Sequence, residues 1–61
     1  MSDTALLNYQ ETADLLGVST KTVRRLVAGG ELVSIRLSQR IVRFDRADIE
    51  AFAERNRIEA S

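Results

Sequence analysis

Apolar positions in this chain change their spacing twice. Between residues 9 and 27 they recur every three or four residues, which is the period of an amphipathic helix. The first such stretch predicts a helix opening at Asn8 as N-cap, with Glu11 completing a capping box. Ala13 and Leu16, joined by Tyr9 and Thr12, form its buried stripe, Leu15 flanks it, and Gly17 ends it with positive φ. Only Gly17 and Val18 separate this helix from a second one capped by Ser19. There Val23, Leu26 and Val27 make an i, i+3, i+4 stripe. Lys21, Arg24 and Arg25 lie on or beside the opposite face, Thr20 and Thr22 stand near the start, and Gly29–Gly30 stops the helix. The spacing then shortens to two. Residues 32–36 read as a strand with Val33 and Ile35 on one face, and residues 37–39 as a short polar connection. Residues 40–44 read as the return strand, with Val42 and Phe44 on one face. A third helix opens at Asp45, or a turn later at Asp48, and buries Ile49, Phe52 and Ala53. Residues 57–61 are expected to fray.

The predicted order is helix, tight turn, helix, β-hairpin, helix: an α+β chain, mainly α. Its 61 residues allow one domain, 1–61, with a core over about 7–56. So small a domain buries only about 60% of the surface its unfolded chain exposes, so almost every apolar residue must serve one core. At 44% hydrophobic and 30% charged, the composition is that of a folded protein rather than a disordered one. Cysteine and histidine are absent, which removes disulfides, Cys/His zinc sites, thiol nucleophiles and histidine bases. The opening MSDTALLNYQ has an acidic residue and no apolar run of signal-peptide length, and no later segment is long enough to span a membrane. A cytoplasmic location away from membranes is expected.

Net charge is zero, but the charges are segregated. Residues 1–18 carry −3 and residues 47–61 carry −2. Residues 19–46 carry seven basic side chains against Glu31 and Asp45, a local +5. A local patch, more than the total, decides attraction to phosphate.

Two short helices joined by a tight turn make a helix-turn-helix, whose second helix enters a major groove of double-stranded DNA. VSTKTVRRLV suits that role: Val23, Leu26 and Val27 anchor it while Thr20, Lys21, Arg24 and Arg25 project. Arginine can chelate guanine O6 and N7, and both basic residue types hold phosphates. Ser19, Thr20 and Thr22, with the helix N-terminus, can donate to a phosphate. The hairpin is the natural wing, with Arg36 and Arg40 flanking Ser38 and Gln39 at its tip and Arg43 supporting it or pairing with Asp45 or Asp48. Taken singly, these arginines are also what a solvated helix face or a guarded edge strand would carry. Their joint occurrence at the helix and the wing is what favours DNA. Tyr9, Phe44 and Phe52 fall on apolar stripes and read as core. Asp45 and Asp48 read as caps rather than as a metal or acid/base pair, so no enzyme activity, metal, cofactor or small-molecule ligand is expected.

From Leu7 to Ala53 the chain also resembles the excisionase-like family of small MerR-type winged helix-turn-helix proteins. The resemblance rests on Leu15–Ser19, Thr22–Val23, Gly30-Glu31-Leu32, the basic wing Arg36–Arg40, and Asp48-Ile49 with Phe52. Val33 stands where the family often has proline, and the wing has no glycine. The resemblance implies recognition-helix contacts at Thr20, Lys21, Thr22, Arg24 and Arg25 and wing contacts over Arg36–Arg40. It further implies a phage or prophage recombination directionality factor that binds and bends attachment-site DNA. Its partner would be an integrase, a tyrosine or a serine recombinase, and neighbouring copies would associate on DNA. Ile41, Ile58 and the third helix are candidates for that contact. The shortness of the chain beyond its reader domain points the same way. A small prophage transcription regulator of the same fold remains the alternative, and a protein-binding adaptor a more distant one.

Overall fold

The computed structural model describes residues 6–56, so Ile58 and the tail 57–61 lie outside the described residues. Its elements are α1 (Tyr9–Leu16), α2 (Thr20–Ala28), β1 (Ile35–Arg36), β2 (Val42–Arg43) and α3 (Arg46–Arg55). This is the predicted order, a helix-turn-helix followed by a hairpin wing and a third helix.

The helix ends follow from their capping residues. Asn8 Oδ1 accepts the Glu11 N–H at 2.7 Å, and the Asn8 N–H donates to Glu11 Oε1 at 2.9 Å, which closes the capping box. Ser19 Oγ accepts the Thr22 N–H, and Asp45 Oδ1 accepts the Ala47 N–H, so Asp45 rather than Asp48 opens α3. α1 and α2 end alike. The Gly17 N–H donates to the Asp14 carbonyl and the Val18 N–H to that of Ala13; Gly30 and Glu31 repeat the pattern onto Val27 and Leu26. Such paired 5→2 and 6→1 bonds need a left-handed residue between them. Gly17 (φ 73°) and Gly30 (φ 75°) supply it.

Each segment contributes one apolar side chain to the centre: Leu7 ahead of α1, Ala13 from α1, Val23 from α2, Leu32 after it, Phe44 after β2 and Ile49 from α3. Tyr9, Leu16, Leu26, Val27, Val42 and Phe52 pack around them. Two expectations are corrected here. Val33 is 60% exposed, and Leu32 enters the core instead. The pairing Ile35↔Arg43 and Arg36↔Val42 puts Ile35 on the face away from Val42 and Phe44. The predicted strand over 32–36 is confined to Ile35–Arg36, so Leu32 and Val33 lie outside it. Leu32 lies two residues beyond Gly30 and ahead of β1, and it joins the core cluster. Ala53 is exposed as well, because the buried face of α3 narrows to Ile49 and Phe52.

One pairing was not foreseen. Leu7 and Phe44 exchange both backbone hydrogen bonds at 2.8 Å, which adds the segment before α1 to the far side of the hairpin's return strand. The wing is therefore tied to the start of the chain as well as to α3.

Thr12 is fully buried, and its hydroxyl has no hydrogen-bond partner among the described residues. A buried hydroxyl without a partner loses its hydration for no return. Thr12→Val, which keeps the shape and removes the hydroxyl, is expected to raise stability by on the order of 1 kcal/mol in urea unfolding.

Candidate nucleic-acid interface

On α2 the core-facing stripe of Val23, Leu26 and Val27 fixes where the remaining side chains go. At 100° per residue, Lys21 and Arg25 fall on the ridge opposite that stripe, and Arg24 lies to one side of it. Lys21, Arg24 and Arg25 are all exposed, and none makes an ion pair among the described residues. Lys21 and Arg25 stand four apart, where like charges repel modestly. An external polyanion would relieve that repulsion.

The N-terminus of α2 adds to the same potential. α1 and α3 each carry a carboxylate in the first turn, Glu11 and Asp48, whereas α2 carries none. Its positive end is uncompensated, and the Thr20 and Lys21 N–H groups have no acceptor within the helix. Ser19 Oγ is engaged with the Thr22 N–H and lies 3.2 Å from Thr22 Oγ1, so these two hydroxyls build the cap. Thr20 is half-buried at the first helical position.

The wing connection spans 37–41, longer than the predicted 37–39. It is closed by the Leu37 N–H to the Ile41 carbonyl at 2.8 Å. Ser38 Oγ accepts from the N–H groups of both Arg40 and Ile41, an ST-type turn. This is how the wing turns without glycine: among the described residues no non-glycine residue has positive φ. Arg36 Nη1 donates to the Gln39 carbonyl at 3.4 Å and braces the tip from the strand side. Arg40 is exposed and its guanidinium has no partner among the described residues. Arg43 is half-buried and donates to the Val42 carbonyl at 2.9 Å, paired with neither Asp45 nor Asp48. The predicted residues thus separate into outward cations (Lys21, Arg24, Arg25, Arg40), braces (Arg36, Arg43) and turn-formers (Ser19, Thr22, Ser38), with Gln39 offering an exposed side chain between them.

Tyr9 is the residue that sequence reasoning placed only in the core. It is half-buried, its ring meets Phe44 edge-on at 5.2 Å and 74°, and the Arg24 guanidinium carbon lies 4.4 Å from its centroid. No local signal joins residues 9 and 24, since they sit on different helices.

Comparison with known proteins agrees with this geometry. Residues 6–57 match the family model described as a helix-turn-helix domain. Over 44 residues, 72% of this chain and 79% of the other, the sequence is 57% identical to a protein named excisionase from Mycobacterium phage D29. The chain belongs to the excisionase-like helix-turn-helix family. In this family member α1 and α2 form the helix-turn-helix and β1 and β2 the hairpin that follows it. Among the described residues no helix is long and apolar enough to cross a membrane.

Proposed function

We propose that this protein is an excisionase: a DNA-binding architectural factor, without a reaction of its own, that directs an integrase towards excision by binding and bending attachment-site DNA. The observation that carries this reading is the unpaired basic surface of α2 and the wing, on a chain 57% identical to a phage excisionase. In this reading Lys21 and Arg25, with the N-terminus of α2, hold phosphates in the major groove, and Arg24 reaches a base edge. Arg40 and Gln39 at the wing tip meet the neighbouring backbone or minor groove. Arg36, Arg43, Ser38, Ser19 and Thr22 keep those groups in place, and Thr20 borders the phosphate site. The protein acts on DNA in the cytoplasm of a bacterial host, beside an integrase and further copies of itself.

The deciding experiment is a gel shift on DNA from around its own gene, attachment site included, at two salt concentrations, followed by an excision assay with the integrase. A salt-sensitive ladder of bands on the attachment fragment, together with excision that depends on the protein, supports the reading. Specific binding only at a promoter, with transcript levels changed and excision unaffected, replaces it by transcription regulation. No specific shift on any fragment removes both.

Arg40→Ala tests the wing separately. If Arg40 holds one phosphate, its loss weakens binding to all sequences alike and lowers the slope of log affinity against log salt by about one. Titrations at four or five salt concentrations measure this, and an unchanged slope takes Arg40 off the DNA.

A further inference from the structure

We propose that Tyr9 is a positioning residue for DNA readout: its ring holds the Arg24 guanidinium in place before DNA arrives. The inference rests on the DNA-binding reading above and assigns a role on α1 that this reading does not contain.

Four observations converge on it. The Arg24 guanidinium carbon is 4.4 Å from the Tyr9 centroid, well within the reach of a cation–π contact. The ring is itself held, since Phe44, fully buried, packs against it at 5.2 Å in a T-shaped contact. The platform under Arg24 is therefore anchored in the core through one intermediate. A guanidinium over an aromatic ring uses no N–H acceptor there, which leaves its N–H donors open for a bidentate acceptor. Those donors have no hydrogen-bond or ionic partner among the described residues, whereas Arg36 and Arg43 direct theirs to backbone carbonyls. On α2, Lys21 and Arg25 have no comparable support. Arg55 does lie over Phe52, but at 5.8 Å, near the outer limit, and within its own helix.

The physical consequence is preorganisation. A free arginine loses rotamer freedom when it docks on a base, and one already held loses less. The stack should therefore act on specific binding, through Arg24, and leave phosphate-driven binding to any duplex unchanged. Lysine at position 24 could not substitute, since a compact ammonium has no planar fork to stack and chelate at once.

The test uses the full chain and two duplexes, one selected by the parent protein from a randomised pool and one unrelated. Fluorescence anisotropy is read for the parent, Tyr9→Phe, Tyr9→Leu, Arg24→Gln and Tyr9→Leu with Arg24→Gln. A further variant carries 3,4,5-trifluorophenylalanine at position 9. That residue keeps the ring's shape and drains its negative face, so it remains informative if Tyr9→Leu does not fold. The expected result is near-parental binding for Tyr9→Phe. Tyr9→Leu and the fluorinated variant should bind the selected duplex about two- to fivefold more weakly and the unrelated duplex as the parent does. In the Arg24→Gln background, Tyr9→Leu should cost nothing more. Parental specific affinity in the fluorinated variant, or additive losses in the double variant, would overturn the role of Tyr9 and leave DNA binding intact. A parent that selects no duplex would overturn the DNA-binding reading and this inference together, and it would do so before any variant is compared.

Discussion

Phe44→Ala is expected to leave the domain largely unfolded. The side chain is fully buried, and truncating a buried phenylalanine costs about 3–5 kcal/mol. At the usual stability per residue, a 61-residue domain has only about 3–9 kcal/mol to lose. The position also connects more than its own volume. Phe44 exchanges both backbone hydrogen bonds with Leu7, packs on Tyr9 and immediately precedes the Asp45 cap of α3. Losing the ring loosens the wing, the start of α1 and the entry to α3 together. Far-UV circular dichroism under urea or thermal unfolding would show this, with Val33→Ala as surface control. Val33 is 60% exposed, so that control should stay within about 0.5 kcal/mol of the parent. A cooperative Phe44→Ala domain of near-parental stability would contradict the packing described here.

Arg24→Ala is expected to cost about 1–3 kcal/mol of specific DNA binding and to relax selectivity at one base position. Folding should be little affected, since the side chain is exposed and its stack on Tyr9 adds at most a modest term. If Lys21 and Arg25 hold phosphates as proposed, Lys21→Ala and Arg25→Ala should instead lower affinity for every duplex. Competition binding against a panel of single-base variants separates the two effects. If Arg24→Ala weakens all members of the panel equally, Arg24 is a phosphate contact, and base readout lies elsewhere on α2 or on the wing.

How much of this was legible in the sequence depended on whether the deciding interaction was local. The capping box of Asn8 and Glu11, the Ser19 cap, the left-handed turn at Gly17 and the stop at Gly29–Gly30 each involve residues within about five positions of one another. Each was predicted from residue type alone. The basic face of α2 followed from the position of its apolar stripe. The hairpin was foreseen as a hairpin, but its parity and length were not. A strand two residues long, Ile35–Arg36, carries too little alternation to fix which face turns inward. Leu32, ahead of that strand, fills the core while Val33 stays exposed.

The sequence by itself determined the order of elements, the caps of α1 and α2, the concentration of positive charge between residues 19 and 46, and the resemblance to excisionase-like proteins. All of these are properties of neighbouring residues or of their order along the chain. Only the tertiary structure decided that the segment before α1 pairs with Phe44, that Ser38 closes a wing without glycine, and that Arg24 rests on Tyr9. Two of these join residues far apart along the chain, whose contact exists only once α1, α2 and the hairpin have closed on a common core. The third depends on the φ/ψ path of the 37–41 turn, which a serine permits but does not specify.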